Sequence, residues 1–185
     1  MTILPRRTFI IGAGSATLLA ACGNGIGSRG AGVIDARVDQ TLNFLFTRYP
    51  NTTDLRDKAA GMLVMPVVTK AGFGVGAAYG RGALRVNGAT VDYYSATSGT
   101  VGFQIGAQQY SHVLFFMTSA ALESFRRSPG WAAGADIEYT LSENGENLSA
   151  ETTTTLSPVI ALIFGQAGLI AGATLKGTKY TRIIP

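Results

Sequence analysis

Lys70-Ala71-Gly72-Phe73-Gly74-Val75-Gly76-Ala77-Ala78-Tyr79-Gly80-Arg81-Gly82 is the stretch on which the reading of this chain turns. It holds five of the 24 glycines within thirteen residues, with a cation near each end and two aromatics between them. Glycines flanked by cations invite a phosphate-binding loop, but the spacing refuses one. A Gly-x-Gly-x-x-Gly that starts at Gly72 needs glycine at position 77, where Ala77 stands; one that starts at Gly74 needs it at 79, where Tyr79 stands. The glycines read instead as a strand corner where backbones approach too closely for side chains. What is left for function is the cationic rim, Lys70 and Arg81.

On either side the pattern is β. Met62–Val68 is an apolar run that reads as a buried strand, with Pro66 demoting part of it to an edge or a bulge. Leu84–Tyr94 centres on Asn87-Gly88, and an Asn-Gly pair between strand-like runs marks a hairpin because both central residues must take positive φ. Val101–Gln108 and Val113–Met117 read as two further strands. Ser119 is placed to cap a helix carrying Leu122 and Phe125 that stops at Pro129-Gly130. Asp136–Ser142 and Leu148–Thr155 alternate around Glu143-Asn144-Gly145-Glu146 as a second hairpin. Val159–Leu175 is an apolar run interrupted by Gly165-Gln166-Ala167-Gly168. Turn chemistry there favours two buried strands over a membrane span. Lys176–Ile184 closes the chain as an edge strand.

Upstream, Val33–Tyr49 is the best helix. Ile34, Val38, Leu42, Leu45 and Tyr49 recur at steps of three and four, and Pro50 follows the end. Its polar face mixes acids with bases, so it reads either as packed on the domain core or as lying on a membrane. Thr53 or Asp54 can cap a short helix through Ala60. Together these elements predict an α+β domain, with a curved, mostly antiparallel, barrel-like sheet, an N-terminal amphipathic helix and a few short helices.

Residues 1–22 read as an address. Arg6-Arg7 precede an apolar run from Phe9 to Ala21, shorter than the ~17–25 residues of a membrane-crossing helix and of the size of a signal-peptide core. The paired arginines suggest twin-arginine export. Leu19-Ala20-Ala21-Cys22 resembles a bacterial lipobox, in which the cysteine is acylated and becomes the mature N-terminus. Residues 23–32 then form a Gly-rich tether, and 33–185 the domain. Gly23 stands where an Asp would retain a lipoprotein in the inner membrane, so a periplasm-facing, outer-membrane location is expected. The Gly12-Ala13-Gly14 fragment inside the leader lacks a third glycine and a preceding strand, and is no dinucleotide site.

Composition narrows the function classes. At 46% apolar and 14% charged the chain can fill a core. The net charge of +4 falls to +2 once Arg6 and Arg7 are removed, which is far from a nucleic-acid footprint. A single cysteine, Cys22, and a single histidine, His112, can form neither an internal disulfide nor a convincing zinc or iron site; carboxylate sites for harder ions stay open, and no cofactor is implied. His112 is the lone candidate imidazole for nucleophilic catalysis, and no Gly-x-Ser-x-Gly elbow accompanies it. Asp136 and Glu138 share a strand face but carry no other mark of an acid–base pair. A non-enzymatic protein is expected.

The blocks Lys70–Gly76, Gly80-x-Gly82, Tyr93-Tyr94-Ser95, Gly102–Gln108, Val113–Met117, Ala121–Phe125, Gly130-Trp131, Gly134, Thr152–Thr154 and Phe164–Leu169 closely resemble the SYLF domain, which includes Ysc84-like proteins and many exported bacterial lipoproteins. The resemblance covers roughly residues 57–179. It implies binding of membrane phospholipid through anionic head groups rather than catalysis. Eukaryotic members bind phosphoinositides and some bundle actin; the actin activity does not carry over to a bacterial envelope. Lys70 occupies the family's basic position before Ala-Gly-Phe, and Val33–Tyr49 is the nearest counterpart of the family's N-terminal amphipathic segment. Each Lys or Arg beside an anionic surface is worth ~1 kcal/mol, so several must act together. Lys70, Arg81 and Arg85 are the expected lipid-binding cluster, with Arg48 and Lys58 joining it, and Cys22 is the expected lipid anchor. The alternative is a structural or protein-interaction module of the envelope whose basic residues only face solvent.

Overall fold

A computed structural model describes residues 28–134, 139–141, 157–165, 168–169 and 175–185. The expected signal segment, Cys22, most of the expected tether and most of the expected second hairpin, including Asp136 and Glu138, lie outside the described residues.

The domain is built on one very long β-ribbon. Strand β1 runs Gly61–Val86 and β2 runs Ala89–Phe116, antiparallel from Gly61↔Phe116 to Val86↔Ala89. The turn between them is Asn87-Gly88, with φ of 50° and 80°, as the Asn-Gly pair predicts. Five runs expected as separate strands, two of them the arms of the hairpin, are thus parts of two continuous ones. The ribbon bends at the register irregularity between Phe73 and Val75 and divides into two arms. A second irregularity, between Met65 and Val68, brackets Pro66, whose carbonyl accepts from Ser111 Oγ at 2.6 Å. Proline has no ladder N–H to give, so it sits on β1, which among the described strands pairs only with β2, and where the ladder is already broken.

Each arm gathers further strands. β5 (Val159–Gly165) pairs antiparallel with β2 along Ser111–Phe116, and β4 (Tyr139–Leu141) joins β5 in parallel. β6 (Gly168–Leu169) pairs antiparallel with β5, Gly165 facing Gly168. On the other arm β7 (Lys179–Ile183) pairs with β2 along Tyr93–Thr97 and with β3 (Trp131–Ala132) on its far side. The closing strand is therefore flanked on both sides at Lys179–Tyr180, not an edge. The result is a curled, mainly antiparallel half-barrel, an α+β fold.

Both faces of the first arm are buried, which explains why Met62–Met65 reads as an unbroken apolar run instead of alternating. Leu63, Met65, Leu114, Phe116, Ala161 and Ile163 face the concave side, packed with Phe125, Trp131 and Tyr180. Met62, Val64, Val113, Phe115, Ile160 and Leu162 face the convex side, covered by Ile34, Val38 and Leu45 of helix α1 (Gly30–Arg48) and by Leu55 of α2 (Thr53–Lys58). The sequence left α1 between core and membrane; its apolar stripe is on the core.

Two cap assignments shift. Neither Thr53 nor Asp54 caps α2, since the chain enters it through a 3₁₀ turn at Pro50–Thr52, and Thr53 Oγ1 donates back to the Pro50 carbonyl. Helix α3 (Ser119–Arg127) is capped by Thr118, one residue before Ser119, whose Oγ1 accepts from Ala121 N at 3.1 Å. Among the described residues no helix is long and apolar enough to cross a membrane.

Candidate functional site

The glycine-rich stretch lies in the bend and the second arm of β1. A Cβ placed on Gly82 would collide with the Val64 carbonyl oxygen. One on Gly80 would lie 2.7 Å from the Val67 oxygen and from Val68 Cγ2, and one on Gly72 would strike Gly76 Cα. The two arms of β1 pass each other backbone to backbone, and only glycine permits that approach. The strand-corner reading is the correct one for these glycines.

The bend distributes the expected cations. Lys70 pairs with Gln108 on the first arm and, two residues after buried Val68, shares its concave-side face at the partly exposed end. Arg81 lies on the second arm, on the face of Ala83, which belongs to the convex cluster. Lys70 and Arg81 therefore belong to opposite faces of the ribbon.

Arg85 is committed elsewhere. Its Nη2 donates to Asp39 of α1 at 2.6 Å and lies 3.8 Å from Asp35, and its Nη1 donates to the Gly88 carbonyl at 3.0 Å. Only 14% of its side chain is exposed. Asp35 also accepts from Thr90 Oγ1 at 2.7 Å and from Tyr93 Oη at 2.8 Å. Burial, then the hydrogen bond to Asp35, push the Tyr93 hydroxyl up to about 12. This is a clasp that fixes the first half of α1 to the hairpin, and it uses the charge expected for lipid. Arg48 ends α1 beside a cleft of about 520 Å³ lined also by Gln40, Asn43, Phe44 and Thr47. Lys58 is exposed in the last turn of α2. Three of the five cations share β1, Lys70 on one face and Arg81 on the other with Arg85 bound to α1, while Arg48 and Lys58 lie on α1 and α2, so the described geometry does not gather all five into one rim.

A second clasp works at the other helix. Asp92, 14% exposed, faces Arg126 Nε at 3.3 Å and Arg182 Nε at 3.4 Å, tying the end of α3 to β2 and β7.

His112 is fully buried on the concave side, and Tyr180 Oη lies 2.8 Å from its Nε2. Burial drives its imidazole down to about 3, so it is neutral at ordinary pH. Tyr110 and Tyr180 pack around the ring at 5.9 and 5.8 Å. This is a structural histidine, sealed from substrate. Among the described residues no group of three His, Cys, Asp or Glu side chains could hold a metal ion.

One feature of the second arm escaped the sequence reading. Val75, Ala77 and Tyr79 alternate with Gly76, Ala78 and Gly80, and the odd-numbered members are exposed while Ala78 and Gly80 are buried. Val75 is 72% and Tyr79 53% exposed. The period-two alternation is present in the sequence, but glycine and alanine at the inward positions 76, 78 and 80 blur its contrast.

No curated protein matches the chain. Residues 97–182 match the family model Ysc84, described as "Las17-binding protein actin regulator". That span covers most of β2, α3 and all strands through β7, the part of the fold that pairs with both arms. This match over residues 97–182 is consistent with the resemblance to the SYLF domain family, which suggests a lipid- or actin-related binding module.

Proposed function

We propose that this protein is an exported bacterial lipoprotein, anchored through Cys22, whose SYLF domain binds anionic membrane phospholipid and catalyses no reaction. The family match over residues 97–182 is the observation that carries this reading. Two features support it. The only imidazole is enclosed in the core as a neutral partner of Tyr180, away from any substrate. Lys58, Lys70 and Lys179 form no ion pair among the described residues, which leaves their charge available to head groups. A single acyl chain gives marginal anchoring, whereas a multiply acylated Cys22 holds the protein on its own membrane; domain affinity then serves to orient the protein or to grip lipid.

The protein from residue 23 onward, free of acyl chains, should sediment with vesicles in proportion to their phosphatidylglycerol content, and high salt should weaken this. Absence of sedimentation at every composition would overturn the phospholipid reading. It would favour the second one, a protein-interaction module of the envelope, which the protein-binding description of the family supports.

A further inference from the structure

Cross-strand partners in an antiparallel sheet point to the same face, so the ladder extends the exposed row of the second arm sideways. Tyr79 pairs with Thr97, and Thr97 with Lys179; Arg81 pairs with Ser95, and Ala77 with Gly99. The face therefore carries Val75, Ala77 and Tyr79 in a line, Arg81 next along the strand and exposed Lys179 two strands over. Thr97 and Gly99 are low and exposed, so nothing on β2 covers the apolar line. The opposite face of the same segment is already spent, because Ala78, Gly80, Ala96 and Tyr180 are buried there. Helix α1 covers this side of the sheet only from the Ala83 and Tyr93 row onward, where Tyr93 meets Asp35.

We infer that this face, Val75, Ala77 and Tyr79 beside Arg81 and Lys179, is the surface that seats in the head-group layer of an anionic bilayer. The inference rests on the phospholipid reading and locates its site. An aliphatic and a tyrosine standing above a sheet suit the boundary between acyl chains and head groups, since tyrosine offers an apolar ring with a polar tip. Cations on the same face then meet phosphates as the apolar side chains enter. A second copy of the chain is the competing occupant, but two such faces brought together would enclose Arg81 and Lys179 of both copies, four like charges, in one contact. The site differs from the rim expected from sequence: Lys70 is on the other face of the ribbon, and Arg85 belongs to the α1 clasp.

The test uses full-length protein with Cys22→Ser and one new cysteine carrying an environment-sensitive fluorophore. It is placed at Val75 by Val75→Cys, or at exposed Glu123 on α3 by Glu123→Cys as control. With vesicles of phosphatidylcholine and phosphatidylglycerol, the dye at 75 should brighten and be quenched by nitroxide lipids, while the dye at 123 stays unchanged. Adding Tyr79→Ser should raise the lipid concentration at half-response roughly tenfold, and its exposed position should leave the thermal melt in place. A dark probe at 75, with the protein from residue 23 still sedimenting, overturns this site and leaves the phospholipid reading standing. If that protein does not sediment either, both fall. An equal response at 123, or brightening at 75 that grows with protein concentration without vesicles, also overturns it, the latter in favour of self-association.

Discussion

Tyr180 Oη and His112 Nε2 lie 2.8 Å apart inside the half-barrel, joining the last strand to the C-terminal part of the longest one across 68 positions of sequence. The contact replaces a candidate catalytic histidine with a piece of the core. It also makes stability depend on pH.

The His112 imidazole titrates near 6.5 when unfolded and at about 3 when folded. As pH falls through 6.5, the unfolded chain takes up the proton first. Stability is therefore fully present above pH 6.5 and is lost toward pH 3, at up to about 1.4 kcal/mol per pH unit. Urea titrations at pH 7 and pH 5 should differ by about 2 kcal/mol more in the native protein than in His112→Gln. Equal differences in the two proteins would mean that the imidazole is not buried neutral.

Tyr180→Phe removes the partner of Nε2 but keeps the ring, which packs against Trp131 at 5.6 Å. A buried polar group left without its bond costs about 1–3 kcal/mol. The loss should appear in denaturant midpoints; an unchanged midpoint would show that the hydrogen bond contributes nothing.

Gly82→Ala should destabilise by about 1–3 kcal/mol or more, because the new methyl meets the Val64 carbonyl, a backbone atom that no rotamer change can move aside. Gly99→Ala is the matched control, with nothing within 4 Å of its added carbon, and should shift stability by less than about 1 kcal/mol. Comparable losses in both would argue against the crossing of the two β1 arms.

The clasp on α1 allows its two acids to be ranked. Asp39 is 67% exposed, so its ion pair with Arg85 is worth about 0–1 kcal/mol despite the 2.6 Å distance. Asp35 is half as exposed and serves two hydroxyls, so Asp35→Ala should cost about 1–3 kcal/mol and speed hydrogen exchange in the first half of α1. Arg85→Ala should likewise loosen α1 and leave the salt dependence of vesicle binding unaltered. A lowered salt dependence would return Arg85 to the lipid site.

Cys22→Ser should release the protein from the membrane fraction of cells, since one sulfur carries the whole expected anchor. Continued firm attachment would argue against acylation.

Much of the fold was legible because its determinants are local. Asn87-Gly88 fixes a turn by φ alone, Pro66 breaks a ladder by lacking an N–H, and the stripe Ile34, Val38, Leu45 reports a helical face. The cap on α3 was misplaced by one residue because Thr118 and Ser119 carry equivalent hydroxyls, and only backbone conformation chooses between them. The fate of the cations was not legible at all. Arg85 reaches Asp39 across 46 positions, and no periodicity in either segment records that meeting.

The sequence by itself determined the strand-forming runs, the hairpin turn between them, the break at Pro66 and the amphipathic helix upstream, since φ preference, missing donors and apolar spacing act within a few residues of their cause. It also determined that the glycines of 70–82 mark a close backbone approach, because their spacing fits no nucleotide loop. Only the tertiary structure decided what approaches what. Folding β1 back on itself put Lys70 and Arg81 on opposite faces, sank His112 against Tyr180, spent Arg85 on α1 and left Val75 and Tyr79 in the open. Those outcomes depend on which distant segments a curled sheet brings together, and pairwise burial and charge compensation settle them only once the chain has closed.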